Sequence, residues 1–227
     1  MKEDIRTQYD HVAEVFSKNH TLHENSNDAN RIHFYSFLGR VPRGGKLLDV
    51  ASGDGFDVNE YQKMGFKAEG IDASKAMINI ARKKHPGVEF KIGFAENMPY
   101  GDRYFDVVAS KYAIMTSHEM EPIFKEIARV LKKGGYFVYL ATHPFRHFFE
   151  KRSLSADYFE QKVVVSNILN NSVSLKEPSH TMKEYLSPVF LKYFDVIAYD
   201  EAFDPAAEKI GRKVYPGYMI ILARKRG

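Results

Sequence analysis

The ten residues Lys46 to Gly55, KLLDVASGDG, constrain this chain more than any other stretch. An apolar run, Leu47-Leu48, continues into Asp49-Val50. A loop of small residues follows, Ala51-Ser52-Gly53-Asp54-Gly55, and Phe56 to Met64 then reads as a helix. The pattern predicts a strand, a tight glycine turn and a helix N-terminus. Glycine has no side chain to keep a ligand off the backbone, and the first turn of a helix offers free N–H groups to a negative group. A second apolar segment, Lys67 to Ile71, ends on Asp72. A carboxylate at that place accepts hydrogen bonds from ribose hydroxyls. The spacing is not the dinucleotide fingerprint Gly-x-Gly-x-x-Gly. It is Asp-x-Ala-x-Gly-x-Gly, which suits a nucleoside attached to something other than pyrophosphate.

Further along, apolar strands and amphipathic helices alternate. Strands are expected at 46–51, 67–71, 88–92, 105–110 and 136–141, and helices at 56–64, from the N-cap Ser74 to His85-Pro86-Gly87, and over Ile123 to Leu131. Lys132-Lys133-Gly134-Gly135 supplies charge and glycine to end the last of these. This alternation argues for a parallel sheet with right-handed crossovers. Two helices precede it, 3–18 and 29–38, separated by the polar break His20 to Asp28. Phe194 to Tyr199 and Tyr218 to Ala223 are apolar strands joined by a polar loop. The stretch His143 to Ser179 is too long for a plain connection. Its VVVSNILNNSVSL predicts two short strands about a turn at Asn170-Asn171, and a helix at 180–193, open to a break at Pro188, follows it.

The glycine stretch resembles the first motif of class I S-adenosylmethionine-dependent methyltransferases, acidic-x-Gly-x-Gly-x-Gly. Asp49, Gly53 and Gly55 match it, and Ala51 stands where the first glycine is usual. GIDAS at 70–74, GFAENMPY at 93–100, FDVVAS at 105–110 and LKKGGYFVYL at 131–140 resemble the later motifs, in order, over about 46 to 142. The broad group including ubiquinone- and menaquinone-type methyltransferases is the most similar.

The resemblance implies an α/β, Rossmann-like, seven-stranded and mostly parallel sheet with helices on both faces. It implies one antiparallel strand and a cap insertion after strand five, at 143–179, within a single domain spanning 1–227. The helices of residues 1–40 would lie over the cofactor. The implied cofactor is S-adenosyl-L-methionine, leaving as S-adenosyl-L-homocysteine. Its expected contacts are Tyr9, Asp49, Ala51, Gly53, Gly55, Asp72, Ala73, Ala95, Glu96 and Lys111. Arg31 is a further candidate, for the cofactor's carboxylate or for an acidic substrate. Many relatives carry Asp where Phe94 stands, so adenine is expected to rest on stacking and backbone contacts here. Asp106 reads as structural.

Methyl transfer is an in-line displacement that needs alignment, exclusion of water and sometimes a base. His143, which precedes Pro144 just past strand five, and His180 are the expected catalytic bases, ahead of His147 and His118.

Composition narrows the acceptor. The chain has no cysteine, so it has no thiol nucleophile and no thiolate zinc site. By resemblance, pyrimidine C5 and arsenic methylation are excluded. Ser110-Lys111-Tyr112-Ala113 stands where an Asn/Asp-Pro-Pro-Tyr motif would mark methylation of exocyclic amines in DNA or of protein glutamine. The net charge of +4 is spread along the chain, apart from short clusters such as Arg82-Lys83-Lys84, so no nucleic-acid partner is expected. No apolar run approaches the ~20 residues of a membrane span, and the polar start of the chain is no signal peptide, so the expected location is cytoplasmic. The aromatic residues Phe145, Phe148, Tyr158 and Phe159 suit a small, partly apolar substrate. The rival expectations are an RNA or protein acceptor, with a basic face at the pocket mouth, and a cofactor-binding protein without turnover. Oligomeric state is not readable.

Overall fold

The structure is a computed structural model and describes residues 5–22, 29–169, 172–204 and 214–227. Its spine is a seven-stranded sheet. In chain order the strands are β1 (Lys46–Val50), β2 (Lys67–Asp72), β3 (Phe90–Ile92), β4 (Phe105–Lys111), β5 (Leu131–Thr142), β8 (Phe194–Ala202) and β9 (Tyr218–Lys225). Across the sheet they lie β3-β2-β1-β4-β5-β9-β8. Strand β9 runs antiparallel to both neighbours and the other pairings are parallel, as expected. The order reverses between β1 and β4, and crevices for ligands open at the carboxyl ends of strands at such a reversal.

Successive strand residues face opposite sides of a sheet, and each central strand here carries an apolar residue for both. Leu48, Val108, Tyr139 and Ile221 join one core. Their neighbours Leu47, Val107, Leu140 and Ile220 join the other. Helices α3 (Phe56–Lys63), α4 (Lys75–Lys84) and α2 (Ala29–Leu38) cover the second face through Tyr61, Ile78 and Phe34. Helix α5 (Glu121–Val130) covers the first through Phe124 and Ile127. The sequence places β5 at 136–141, but the strand begins at Leu131, which pairs with Phe105 ahead of a register shift. The Lys132–Gly135 stretch therefore belongs to the strand, with Gly134 at φ 70°. Asp106 is structural: it accepts from Lys46 N at 2.9 Å and Lys132 Nζ at 2.8 Å.

Ser74 caps α4, its Oγ accepting from Met77 N at 3.1 Å and donating to Asp10 Oδ1 at 2.6 Å. Ser74→Ala removes both and is expected to lower stability by about 1 kcal/mol, read as a shift in urea midpoint at constant slope.

The inserted segment forms a cap. Helix α6 (Pro144–Glu150) leads to a hairpin of β6 (Val163–Ile168) and β7 (Val173–Pro178). The Lys151 ammonium is buried behind it and donates to the carbonyls of Asp157 (2.7 Å), Tyr158 (3.2 Å) and Glu160. The expected turn at Asn170-Asn171 lies outside the described residues, as does most of the polar break His20 to Asp28. The helix expected at 180–193 is two helices, α7 (Met182–Tyr185) and α8 (Pro188–Tyr193). Ser187 caps the second and Pro188 occupies its first turn, where a missing N–H costs nothing.

Helix α1 (Ile5–Leu22) joins the two parts. The Gln8 amide accepts from Lys176 N at 2.8 Å and donates to Lys176 O at 3.1 Å, clamping β7. Asp10 accepts from Ser74 Oγ and from Ala76 N at 3.1 Å, and Ser17 donates to Asp54 at 3.0 Å. No described helix is long and apolar enough to cross a membrane.

Candidate active site

A cavity of about 1180 Å³ lies over the carboxyl ends of β1, β2 and β4, walled by α1 and the cap. Its sheet end is the loop after β1. Ala51 sits at φ 61°, Gly53 at 53° and Gly55 at 82°. Glycine takes such angles freely and alanine does so at a cost of about 1–2 kcal/mol. The usual first glycine of this motif is thus replaced by an alanine held in a glycine conformation.

Of the ten residues expected around the cofactor, nine line the cavity: Tyr9, Asp49, Ala51, Gly53, Asp72, Ala73, Ala95, Glu96 and Lys111. Gly55 does not. Its N–H donates to Ser52 O at 3.0 Å, and a Cβ there would lie 2.5 Å from the Phe90 ring. The structure makes it a packing glycine beneath the loop.

Asp49 is buried in the middle of the sheet, opposite Gly70 and Ala109. Burial, then the nearby Asp57, push its carboxyl well above the usual carboxylate range. No described residue gives it a hydrogen bond. A buried carboxyl left so needs a partner from the cavity. Asp72 takes Gly53 N and Ser74 N at 2.8 Å each, one on each oxygen, and keeps lone pairs free. Burial lifts it to about 6, against the pull of those two amides.

Asp57 was not anticipated, although an acidic residue in the first turn of the helix behind a glycine loop is a legible signal. It gathers Arg31 Nε at 3.2 Å, Lys111 Nζ at 2.9 Å and the Tyr35 hydroxyl. Arg31 also lies over the Phe56 ring, 4.3 Å from its centroid. Two cations are thereby fixed at the rim of the loop. Phe94, 45% exposed, presents its ring to the cavity beside Ala95. Tyr112 closes β4 at φ 53°, and its hydroxyl accepts from Asn30 at 2.9 Å. A bulky residue at positive φ beside a cavity is a typical mark of a functional site.

The structure does not bring His143 and His180 to this cavity. His143 caps α6, its Nδ1 accepting from Phe145 N at 3.0 Å while Nε2 pairs with Glu201 at 3.0 Å. Burial holds its imidazole below the ordinary value in spite of Glu201. His180 is buried, with Nδ1 3.0 Å from Glu184 and Nε2 3.0 Å from Met115 O. All four ring nitrogens are committed to structure. His147 is also buried outside the cavity lining. His118 does line it and bonds Gln161 at 2.8 Å.

Comparison with known proteins agrees with this geometry. Residues 48–139 match a family described as a methyltransferase domain. The demethylmenaquinone methyltransferase of Chlorobaculum tepidum is 45% identical over 91 residues, 40% of this chain and 38% of that protein. The phthiotriol/phenolphthiotriol dimycocerosates methyltransferase of Mycobacterium tuberculosis is 34% identical over 129 residues, 53% and 48% of the two chains. The chain thus spans less than half the length of either relative. Among solved structures, an S-adenosylmethionine-dependent methyltransferase from Mesorhizobium loti superposes with a TM-score of 0.71 at 19% identity, over 87% of this chain and 98% of that one. Residues 48–139 thus match a methyltransferase-domain family, and the sheet has the fold of the superposed structure.

Proposed function

We propose that the protein transfers a methyl group from S-adenosylmethionine to a small molecule held in the cavity, as one unit in which residues 1–40 cover the cofactor and 143–179 form the substrate cap. The observation that carries this reading is the cavity's continuity. One space runs from Asp49 and Asp72 at the sheet to Ser166, Leu175 and Glu177 in the cap. Its volume, about 1180 Å³, exceeds the roughly 300–1,000 Å³ of a site for one ligand.

The residues present fit the cofactor. Asp72 would take the ribose hydroxyls on its remaining lone pairs. The carboxyl of Asp49 would meet the ammonium of the methionine end, and Lys111 and Arg31 would meet its carboxylate. Phe94 offers a face on which adenine stacks. When bound, the cofactor supplies a methyl group already activated by a sulfonium. The protein's part is then alignment and dryness, and alignment alone supplies up to roughly 7–11 kcal/mol in ideal cases. The acceptors in the names of the two relatives, demethylmenaquinone and phthiotriol/phenolphthiotriol dimycocerosates, support a small acceptor with an apolar body.

Calorimetric titration tests this directly. Micromolar binding of both S-adenosylmethionine and S-adenosylhomocysteine is expected. Failure of both to bind would leave a methyltransferase fold serving another ligand.

A further inference from the structure

In the cap half of the cavity, whose lining also holds the Arg146–Asp204 ion pair and Lys176, Glu177 stands on the apolar face of a strand. Along β7, Val173, Leu175 and Glu177 point to the same side, and all three are buried. A carboxylate on the apolar face of a strand is costly unless something answers it. Glu177 is 4% exposed and lines the cavity together with Ile5, Ile168, Leu175 and Pro178. Ser166 Oγ, across the hairpin, donates to its Oε1. His147 Nδ1 accepts from His180 N at 3.2 Å, so the ring hydrogen is on Nε2. That nitrogen is turned toward Oε1 but stays 3.6 Å away, outside hydrogen-bond range, and has no partner of its own. Arg146, the next cation, is spent on Glu150 and Asp204 at 2.8 and 2.7 Å. No hydrogen bond from a described residue reaches Glu177 Oε2.

Burial works to raise the Glu177 carboxyl, but His147, Ser166 and the field of Arg146 outweigh it and hold it below the usual range. The field of Glu177 also reaches Tyr9. Burial, then Glu177, then Asp72 push that phenol far above its ordinary value. Tyr9 therefore lies within the field of both carboxylates and lines the same cavity.

We propose that Glu177 is the polar anchor of the acceptor site, and that the acceptor carries an N–H or O–H donor beside an apolar body. The inference rests on the methyltransferase reading for the word acceptor, but the recognition chemistry does not. A donor from the ligand would complete the open oxygen, whereas a ligand without one would leave a carboxylate buried and half-bonded. Ser166 fixes the rotamer and thereby the direction in which that oxygen looks.

The test uses one apolar body with three heads: phenethylamine, 2-phenylethanol and 2-phenylethyl methyl ether. Each is titrated by ligand-observed NMR into the full chain, with and without S-adenosylhomocysteine. The amine or the alcohol is expected to bind at least tenfold tighter than the ether, and the tighter of the two tells a cationic acceptor from a neutral one. Glu177→Gln should reduce that preference to under threefold. Ser166→Ala, which leaves the carboxylate in place but frees it, should reduce it part-way and carries the test if the first variant does not fold. Equal binding of the three heads, no binding of any, or a preference that survives both variants overturns the proposal. If S-adenosylhomocysteine fails to bind while the head-group preference holds, the cofactor reading falls and the Glu177 site stands.

Discussion

Asp72→Ala is expected to weaken S-adenosylmethionine binding by about 1.5–3 kcal/mol, roughly ten- to a hundred-and-fifty-fold, because hydrogen bonds to a charged acceptor are worth that much. Asp72 also holds the amides of Gly53 and Ser74, so alanine loosens the loop as well. Asp72→Asn keeps an acceptor oxygen, removes the charge and should fall between wild type and alanine. The pH dependence gives an independent check. Ribose hydroxyls donate to the ionised carboxylate, so binding selects the deprotonated form. With Asp72 raised to about 6 in the free protein, its contribution to affinity should be flat above about pH 7 and fall by up to tenfold per unit below about pH 6. The slope should become shallower in Asp72→Asn, leaving only what Asp49, whose carboxyl burial also raises, contributes. Unchanged affinity in the alanine variant would remove Asp72 from the site.

Gly55→Ala is expected to strike stability instead of binding. Its φ of 82° is costly for any side chain, and the new Cβ would meet Phe90 Cζ at 2.5 Å and His85 Cδ2 at 3.0 Å. The left-handed angle costs about 1–2 kcal/mol and overpacking about 1–3. A sum near 2–5 kcal/mol corresponds to a fall in Tm of roughly 5–15 °C for a chain of this size. Gly53→Ala is the control. At φ 53° it carries the same backbone cost, but its Cβ would have only Phe16 within 4.0 Å, across the cavity lining. It should cost about 1–2 kcal/mol of stability and show its larger effect in cofactor affinity. If both glycines lose stability equally, the assignment of Gly55 to packing fails.

These two glycines mark how far the sequence could be read. Both belong to the motif, and nothing local tells them apart. What separates them is Phe90, 35 positions downstream, lying under one and not the other. The sheet was legible because its signals are local: apolar runs of strand length, Ser74 at a helix start, glycine at helix ends. The glycine-loop end of the cavity was legible because its lining residues cluster in short stretches at strand termini. The cap end was not. Gln8 meets Lys176 across 168 positions, and Arg146 meets Asp204 across 58. Glu177 was missed although its alternation with Val173 and Leu175 placed a carboxylate among buried residues. His143 and His180 do fall near the carboxyl edge of the sheet, as position suggested. Capping a helix and bridging Glu184 to Met115 consumed their nitrogens, and a sequence does not display such bonds.

Helix α1 joins the two ends of the cavity. It is tied to the cap by two hydrogen bonds of Gln8, to the start of α4 by two of Asp10, and to the glycine loop by Ser17. Lifting it breaks all five, at about 0.5–1.5 kcal/mol each. One helix thus roofs both the glycine-loop end and the cap end of the cavity and is fastened at each, so the two ends are mechanically joined.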